Sequence, residues 1–188
     1  MALYDEPVSV LPGTDPASSE AELIERARAG DQRAFGALVE RQRDRMWAIC
    51  LRITGNPHDA EDALQDALVA AWRAIGRYRG DAKLSTWLFR IASNAALAQI
   101  RKRADTDDIA DHDPIGTVDV ATEIVVSDRI QEALSQVPDA YRATFVLRAY
   151  GDLSYAEIAE VQGIGVQTVR SRISRAREVL QELLADLR

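Results

Sequence analysis

The residues between positions 154 and 177 constrain the fold of this chain more than any other segment. A short stretch, SYAEIAEVQ, is followed by Gly163 and Gly165 and then by a second stretch, VQTVRSRISRAR. Four arginines and no acidic residue lie between positions 170 and 177. A short helix, a tight turn and a basic second helix are typical of a helix-turn-helix motif. The pattern therefore predicts a DNA-binding function.

The residue types along this segment support that prediction locally. Ser154 is expected to cap the first helix, with Glu157 completing a capping box, and Ile164, Val169 and Ile173 supply the buried stripe of the second helix. The opposite face carries residue types that bond base edges or phosphate oxygens. These residues are Gln167, Thr168, Arg170, Ser171, Ser174 and Arg175. The alternative is a basic helix face that is merely solvated, but the cap and turn in register favour DNA binding.

The composition argues against several other classes of protein. The chain has 188 residues, of which 47% are hydrophobic, and this balance is ordinary for a globular protein of one or two domains. One cysteine, Cys50, and two histidines give no basis for an intramolecular disulfide or a metal site. We expect Cys50 to be a buried thiol and expect no cofactor. No apolar run or N-terminal signal pattern points to a membrane, so we expect a cytoplasmic protein.

The net charge of −7 conceals an uneven distribution along the chain. Residues 1–25 carry six acids and no base, residues 26–103 carry fifteen bases and eight acids, residues 104–128 carry eight acids and no base, and residues 129–188 carry eight of each. Two acidic segments therefore mask a basic domain, and the overall charge does not argue against DNA binding.

Apolar spacing predicts an all-α fold of two small helical domains joined by a flexible acidic linker. The proposed divisions are a disordered tail at 1–20, a first domain at 21–103, the linker at 104–128 and a second domain at 129–188. Eight helices are predicted. They are Glu22–Ala29, Gln32–Ile53, Pro57–Ile75, Leu84–Arg103, Ile130–Gln136, Asp139–Tyr150, Tyr155–Val161 and Val166–Leu187.

The third predicted helix has an acidic face opposite its apolar face. Asp62 and Asp66 lie one turn apart, with Gln65 and Val69 beside them. Early carboxylates stabilise the N-terminal end of a helix, so one interpretation is purely structural. The other is a docking face for a basic partner helix. Acid-base catalysis is not indicated, because no nucleophile, histidine or metal cluster accompanies the acids.

The fourth predicted helix carries aromatic, amide and basic side chains. This mixture suits stacking on unpaired bases and contact with a phosphate backbone. The residues concerned are Lys83, Ser85, Trp87, Arg90, Asn94 and Arg101. A buried role is the alternative for Trp87, and burial is the preferred interpretation for Phe89.

Taken in order, these blocks resemble the sigma factors of bacterial RNA polymerase, in the compact extracytoplasmic-function (ECF) group. DAEDALQD at 59–66 is similar to the core-binding helix of sigma region 2, and KLSTWLFRIASN at 83–94 to the adjoining segment that recognises and melts the −10 element. Residues 134–138 and 153–184 resemble region 4, which recognises the −35 element. The resemblance covers nearly all of the chain from residue 21 onward.

The resemblance implies a function and a set of partners. The chain is expected to direct promoter-specific initiation without being an enzyme, bound to the β′ clamp helices and the β flap of core polymerase. Asp62, Gln65, Asp66 and Val69 are implied in core binding. The six helix-turn-helix residues named above are implied in binding the −35 element. The six residues named between positions 83 and 101 are implied in binding the −10 element. An anti-sigma factor is a further expected partner, whereas membrane insertion and a small-molecule substrate are not expected.

Two other functions compete with this interpretation. A promoter-binding repressor or activator uses the same motif, with the first domain serving dimerisation or effector binding. It has no need for an acidic docking face beside a helix suited to unpaired bases. A small helical enzyme requires a convergent polar pocket or a cofactor signature, and the sequence shows neither.

Overall fold

Two groups of helices make up the part of the chain that the computed structural model describes, residues 19–107 and 123–185. Within these ranges there are helices and connecting turns and no strand, so the all-α prediction is confirmed. The first group is α1 (Glu20–Arg28), α2 (Gln32–Glu40), α3 (Arg43–Thr54), α4 (Pro57–Ala74), a 3₁₀ turn (Ile75–Arg77) and α5 (Leu84–Asp107). The second group is α6 (Glu123–Ser135), α7 (Asp139–Ala149), α8 (Tyr155–Gln162) and α9 (Val166–Leu183).

One predicted helix is wrong in its extent. Residues 32–53 form two helices rather than one, because the chain turns at Arg41 and Gln42. The backbone N–H of Gln42 donates to the carbonyl of Val39 at 2.8 Å, a tight bond that ends α2. No glycine or proline marks this break. The turn lets α2 pack on α1 while α3 packs on α4 and α5, so tertiary packing determines it.

Other helix ends differ from the predicted bounds by smaller amounts. Helix α5 continues to Asp107 and α6 begins at Glu123, so helices enter both ends of the predicted linker. Helix α9 ends at Leu183. The predicted tail as far as residue 18, the predicted linker between 108 and 122, and residues 186–188 lie outside the described residues. None of the described helices is long and apolar enough to cross a membrane.

Small side chains bring α4 and α5 close together in the first group. Four alanines recur at three- and four-residue spacing along α4, and all are fully buried; they are Ala60, Ala63, Ala67 and Ala71. Ala92 and Ala96 occupy buried positions on α5, which packs along α4. Residues without long side chains allow a short distance between helix axes. Leu88 and Phe89 then complete the core at 1% exposure each, and each burial stabilises the fold by about 1.5–3 kcal/mol.

A buried arginine organises the start of the second group. Arg142 of α7 is 6% exposed, and its Nη1 donates to the carbonyl oxygens of Leu134, Ser135 and Val137 at 3.3, 3.2 and 3.2 Å. Its Nη2 forms an ion pair of 2.7 Å with Asp139. The regular hydrogen bonds of α6 end at these carbonyls, where the guanidinium adds a donor and fixes α7 against α6.

The two groups also contact each other. Helices α6 and α7 pack against α3, and α7 and α8 pack against α5. Nη1 of Arg52 donates to Oε1 of Gln131 at 3.0 Å, and the Arg52 guanidinium lies 5.5 Å from the ring centroid of Tyr150. Thr86 of α5 donates its hydroxyl hydrogen to Glu157 of α8 at 3.1 Å. The chain thus adopts a closed arrangement, in which the second group covers part of α5.

Candidate nucleic-acid interface

Helices α8 and α9 form the predicted helix-turn-helix. The hydroxyl of Ser154 accepts from the backbone N–H of Glu157 at 3.2 Å, and the Glu157 carboxylate accepts from the backbone N–H of Ser154 at 2.8 Å. This confirms the capping box. Gly163 ends α8 with a φ of 65°, a left-handed conformation that glycine adopts without strain. The N–H of Ile164 then donates to the carbonyl of Ala159 at 3.0 Å and closes the turn.

Helix α9 separates a buried face from an exposed one. Val169, Ile173, Ala176 and Leu180 are buried, which confirms the predicted stripe within this helix. Ile164 lies in the turn before the helix and is half-buried. All six predicted DNA-contacting residues are exposed on the other side; they are Gln167, Thr168, Arg170, Ser171, Ser174 and Arg175. The structure therefore brings the whole predicted set to one solvent-facing surface, which we call the α9 face.

Several side chains of the α9 face already have partners. Ser171 donates its hydroxyl hydrogen to the carbonyl of Thr168 at 3.0 Å, and Ser174 donates to the carboxylate of Glu178 at 3.0 Å. Nη1 of Arg175 donates to the hydroxyl of Tyr141 on α7 at 2.9 Å. Sequence patterns do not indicate the last contact, because residues 141 and 175 lie far apart along the chain.

The predicted single-strand-binding residues occupy two environments along α5. Lys83 and Arg90 are exposed, and Ser85 is half-buried. Trp87 is also half-buried, and its ring centroid lies 5.3 Å from that of Tyr78 at an interplanar angle of 50°. Trp87 therefore combines packing with partial access to solvent. Phe89 is buried, as predicted.

The remaining two residues of this set face the second group of helices. Asn94 and Arg101 are exposed, but both line a groove of about 400 Å³ whose opposite wall includes Asp139, Gln162 and Arg172. Near the start of the same helix, Thr86 is bonded to Glu157. In the closed arrangement α8 and α9 therefore lie close to the α5 residues, and access to this surface is restricted.

The acidic face of α4 lies on the outside of the first group. Gln65, Asp66 and Val69 are exposed, and Asp62 is half-buried. Val69 keeps 48% of its accessible surface, which is unusual for a large apolar side chain in this structure. Asp66 accepts a hydrogen bond of 3.1 Å from the amide of Gln99 on α5. The face thus combines carboxylates with an exposed apolar residue, a composition suited to a protein partner.

A second apolar surface lies on the far side of the helix-turn-helix, where sequence reasoning identified no site. It is an open groove of about 860 Å³ between α6, α7 and α9. Its apolar lining includes Leu134, Phe145 and Leu180, and Arg148 and Arg177 contribute the basic part. The sequence indicates this groove only weakly, because its lining residues belong to three helices whose apolar positions also build the core.

Comparison with known proteins assigns both halves of the chain to one family. The Sigma-70 region 2 model matches residues 38–106, and the Sigma-70, region 4 model matches residues 127–180. The chain is 35% identical over 179 residues to the ECF RNA polymerase sigma factor SigW of Bacillus subtilis, covering 87% of this chain and 96% of that one. It is 34% identical over 169 residues to the ECF sigma factor SigM of Mycobacterium tuberculosis, covering 90% and 86%.

Solved structures agree with this assignment. CnrH in complex with the cytosolic domain of CnrY is similar with a TM-score of 0.69 and 30% identity, over 90% of this chain and 99% of that one. The sigma factor RpoE of Bartonella quintana, in complex with the anti-sigma factor NepR, has a TM-score of 0.69 and 28% identity, over 80% and 96%. Both sigma domains and their order match the expectation from the sequence, and the repressor or activator alternative is not favoured. The chain belongs to the ECF sigma factors, the alternative sigma factors that direct transcription initiation.

Proposed function

We propose that three separate surfaces of this sigma factor bind core RNA polymerase, the −10 element and the −35 element. The acidic face of α4 binds the β′ clamp helices, the α5 residues bind the −10 strand, and the α9 face binds the −35 duplex. The observation that supports this division best is the α9 face, where all six predicted residues are exposed above a buried stripe. The exposed side of such a helix presents hydrogen-bond donors to the major groove, and its buried stripe packs against the rest of the domain.

Core binding is proposed to depend on Asp62, Gln65, Asp66 and Val69. The carboxylates supply charge complementarity to a basic partner, and the exposed Val69 supplies apolar contact area. Charge reversal by Asp66→Arg is expected to weaken core binding at least about tenfold. Glu40→Arg, an exposed acid at the end of α2, is the matched control. Equal affinity of the Asp66→Arg variant and wild type for core would remove this face from the proposal.

Promoter recognition is proposed to require separation of the two helical groups. The −35 and −10 elements lie about 25 base pairs apart, which is about 85 Å at 3.4 Å per pair. A compact chain of 188 residues has a radius of gyration of about 16 Å. The closed arrangement is therefore too short to contact both elements at once. Opening breaks the bond between Thr86 and Glu157 and frees the groove beside Asn94.

Two further partners follow from the relatives and from the groove between α6, α7 and α9. CnrH is solved with the cytosolic domain of CnrY, and RpoE is solved with the anti-sigma factor NepR. We propose that an anti-sigma factor binds this chain as well. The apolar groove is the proposed site for the β flap of core polymerase, because the half-buried side chains of Ile130, Phe145 and Leu184 line it and leave apolar surface for a partner. Both interactions place the protein inside the cell with the polymerase.

In vitro transcription tests the proposal directly. Purified core polymerase is combined with this protein and a library of promoter fragments whose −35 and −10 elements are randomised. Transcripts that require the protein and start at a fixed distance from two shared elements are the expected result. Tight binding of the protein alone to duplex DNA, without initiation, would contradict it and favour the repressor or activator alternative.

A further inference from the structure

Tyr141 and Arg175 form a contact between α7 and the exposed face of α9. Nη1 of Arg175 donates to the tyrosine hydroxyl at 2.9 Å, and the guanidinium carbon lies 5.8 Å from the ring centroid. The same side chain thus makes a hydrogen bond to the hydroxyl and a cation–π contact with the ring. Among the six residues of the α9 face, all of which the structure describes, Arg175 is the one whose side chain is bonded to a different helix.

Tyr141 is a rigid support for this contact. It lies in the first turn of α7, where its backbone N–H donates to the carbonyl of Pro138 at 2.8 Å. The next residue, Arg142, is buried and bonded to carbonyls at the end of α6. The tyrosine ring itself is half-buried and packs against the core. The position of the hydroxyl is therefore fixed by the fold of the domain.

A fixed support matters for an exposed arginine. A free arginine side chain samples many rotamers and loses this freedom when it binds a base edge. Contact with Tyr141 restricts the rotamers before DNA arrives, which lowers the entropic cost of binding. The guanidinium has several N–H donors, and the hydroxyl accepts from only one of its nitrogens. The remaining donors stay available for a bidentate contact with a base.

We propose that Tyr141 is a positioning residue for Arg175 and thereby sets base selection in the −35 element. The inference rests on the proposed role of Arg175 at −35. It adds that a residue outside the recognition helix controls how sharply that helix distinguishes one base pair. Loss of the hydroxyl leaves Arg175 able to reach the DNA but restrained only by the ring contact, without the hydrogen bond.

The test uses holoenzyme formed from core polymerase and the full chain, with promoters varied one base pair at a time in the −35 element. The variants are Tyr141→Phe, Arg175→Ala and the double variant, and Tyr155→Phe, at the start of α8, is the control. Tyr141→Phe keeps the ring and its packing, and urea unfolding confirms that each variant is folded. Initiation is measured over a range of salt concentrations, because loss of a phosphate contact changes the salt slope.

Arg175→Ala identifies the base pair that Arg175 contacts, as the position where selection is lost. Tyr141→Phe is expected to reduce selection at that base pair by about threefold to tenfold, with the salt slope unchanged. It should have no further effect in the Arg175→Ala background. Unchanged selection, equal loss at every sequence, or an additive loss in the double variant would overturn the proposal.

Failure of the proposed function is detected separately. If wild type directs no initiation, or if Arg175→Ala alters selection at no −35 position, the role of Arg175 fails before Tyr141 is changed. Either result also overturns the positioning role. If Arg175→Ala loses selection and Tyr141→Phe retains it, the −35 role stands and only the positioning role is wrong.

Discussion

The hydroxyl of Thr86 donates a hydrogen bond of 3.1 Å to Oε1 of Glu157, across the contact between the two sigma domains. The other carboxylate oxygen of Glu157 accepts from the backbone N–H of Ser154 and closes the cap of α8. One carboxylate therefore stabilises the helix-turn-helix and joins it to the helix proposed to bind the −10 element. Because the two bonds use different oxygens, mutation can separate them.

Thr86→Val is expected to weaken the closed arrangement while keeping the cap of α8. The variant retains the volume of a side chain that is 4% exposed and removes only the hydroxyl donor. The lost bond contributes about 1 kcal/mol to the domain contact. Energy transfer between dyes on cysteines introduced at the exposed Glu40 and Glu182 should decrease, and Ser93→Ala, whose hydroxyl bonds only within α5, should not change it. Equal transfer in wild type and Thr86→Val would contradict the prediction.

The cap of α8 is expected to make stability depend on pH in the acidic range. Hydrogen bonds from Ser154, first from its backbone N–H, lower the pKa of Glu157 below its ordinary value, with smaller contributions from Thr86 and Lys83. A lowered folded-state pKa contributes stability above the unfolded-state pKa, and this contribution is lost as pH falls through the folded-state pKa. Urea unfolding at a series of pH values should give wild type a larger free energy of unfolding than Glu157→Gln at neutral pH.

The difference in the free energy of unfolding between wild type and Glu157→Gln should decrease as the pH is lowered. Ser154→Ala is the control, because it removes the capping hydroxyl but keeps the backbone N–H that contributes most to the shift. It should cost about 1 kcal/mol and retain part of the pH dependence. A constant difference between wild type and Glu157→Gln at all pH values would rule out this linkage.

Replacing Arg142 should destabilise the second domain strongly. Arg142→Leu removes the donor to the buried carbonyl of Val137, whereas the carbonyl of Leu134 keeps its bond from the backbone N–H of Val137. The expected loss is about 2–4 kcal/mol in the free energy of unfolding, measured by urea denaturation followed by circular dichroism. Asp139→Asn is the control, since the Asp139 side chain is 53% exposed and its ion pair with Arg142 contributes less. Equal losses in the two variants would mean that the ion pair, and not the carbonyl bonds, stabilises the domain.

Cys50 is expected to resist alkylation in the folded protein. Burial raises the pKa of its thiol to about 12, so the reactive thiolate is scarce at pH 8. The thiol also contacts the carbonyl of Ala92 at 3.8 Å inside the first domain. Reaction with iodoacetamide should be about three orders of magnitude slower in the native protein than in urea. Rapid native labelling, detected by mass spectrometry, would show that the first domain opens locally around α3.

Local patterns made much of this protein predictable. The capping box of Ser154 and Glu157 and the left-handed Gly163 depend on residues three to nine positions apart, so the sequence displays them directly. The buried stripe of α9 follows from helical periodicity, and its exposed face follows as the complement. The family resemblance added the order of the surfaces and their proposed partners.

The break between α2 and α3 was not predictable in the same way. Arg41 and Gln42 carry no turn signal, and their neighbours keep a helical spacing of apolar residues. The chain turns there because α2 is buried against α1, whereas α3 is buried against α4 and α5. The local spacing of apolar residues does not specify which other helices each half of this segment will pack against.

The sequence by itself determined most of the helices, the cap of α8, the two sigma domains and which faces are polar. These properties depend on interactions within one or two turns of helix, which the order of residues specifies. Only the tertiary structure decided that Tyr141 supports Arg175 and that Thr86 bonds Glu157. It also decided that Arg52 contacts both Gln131 and Tyr150. Each of these contacts joins helices distant in sequence, and it forms because apolar faces pack the helices in one arrangement and bring polar side chains at their edges together.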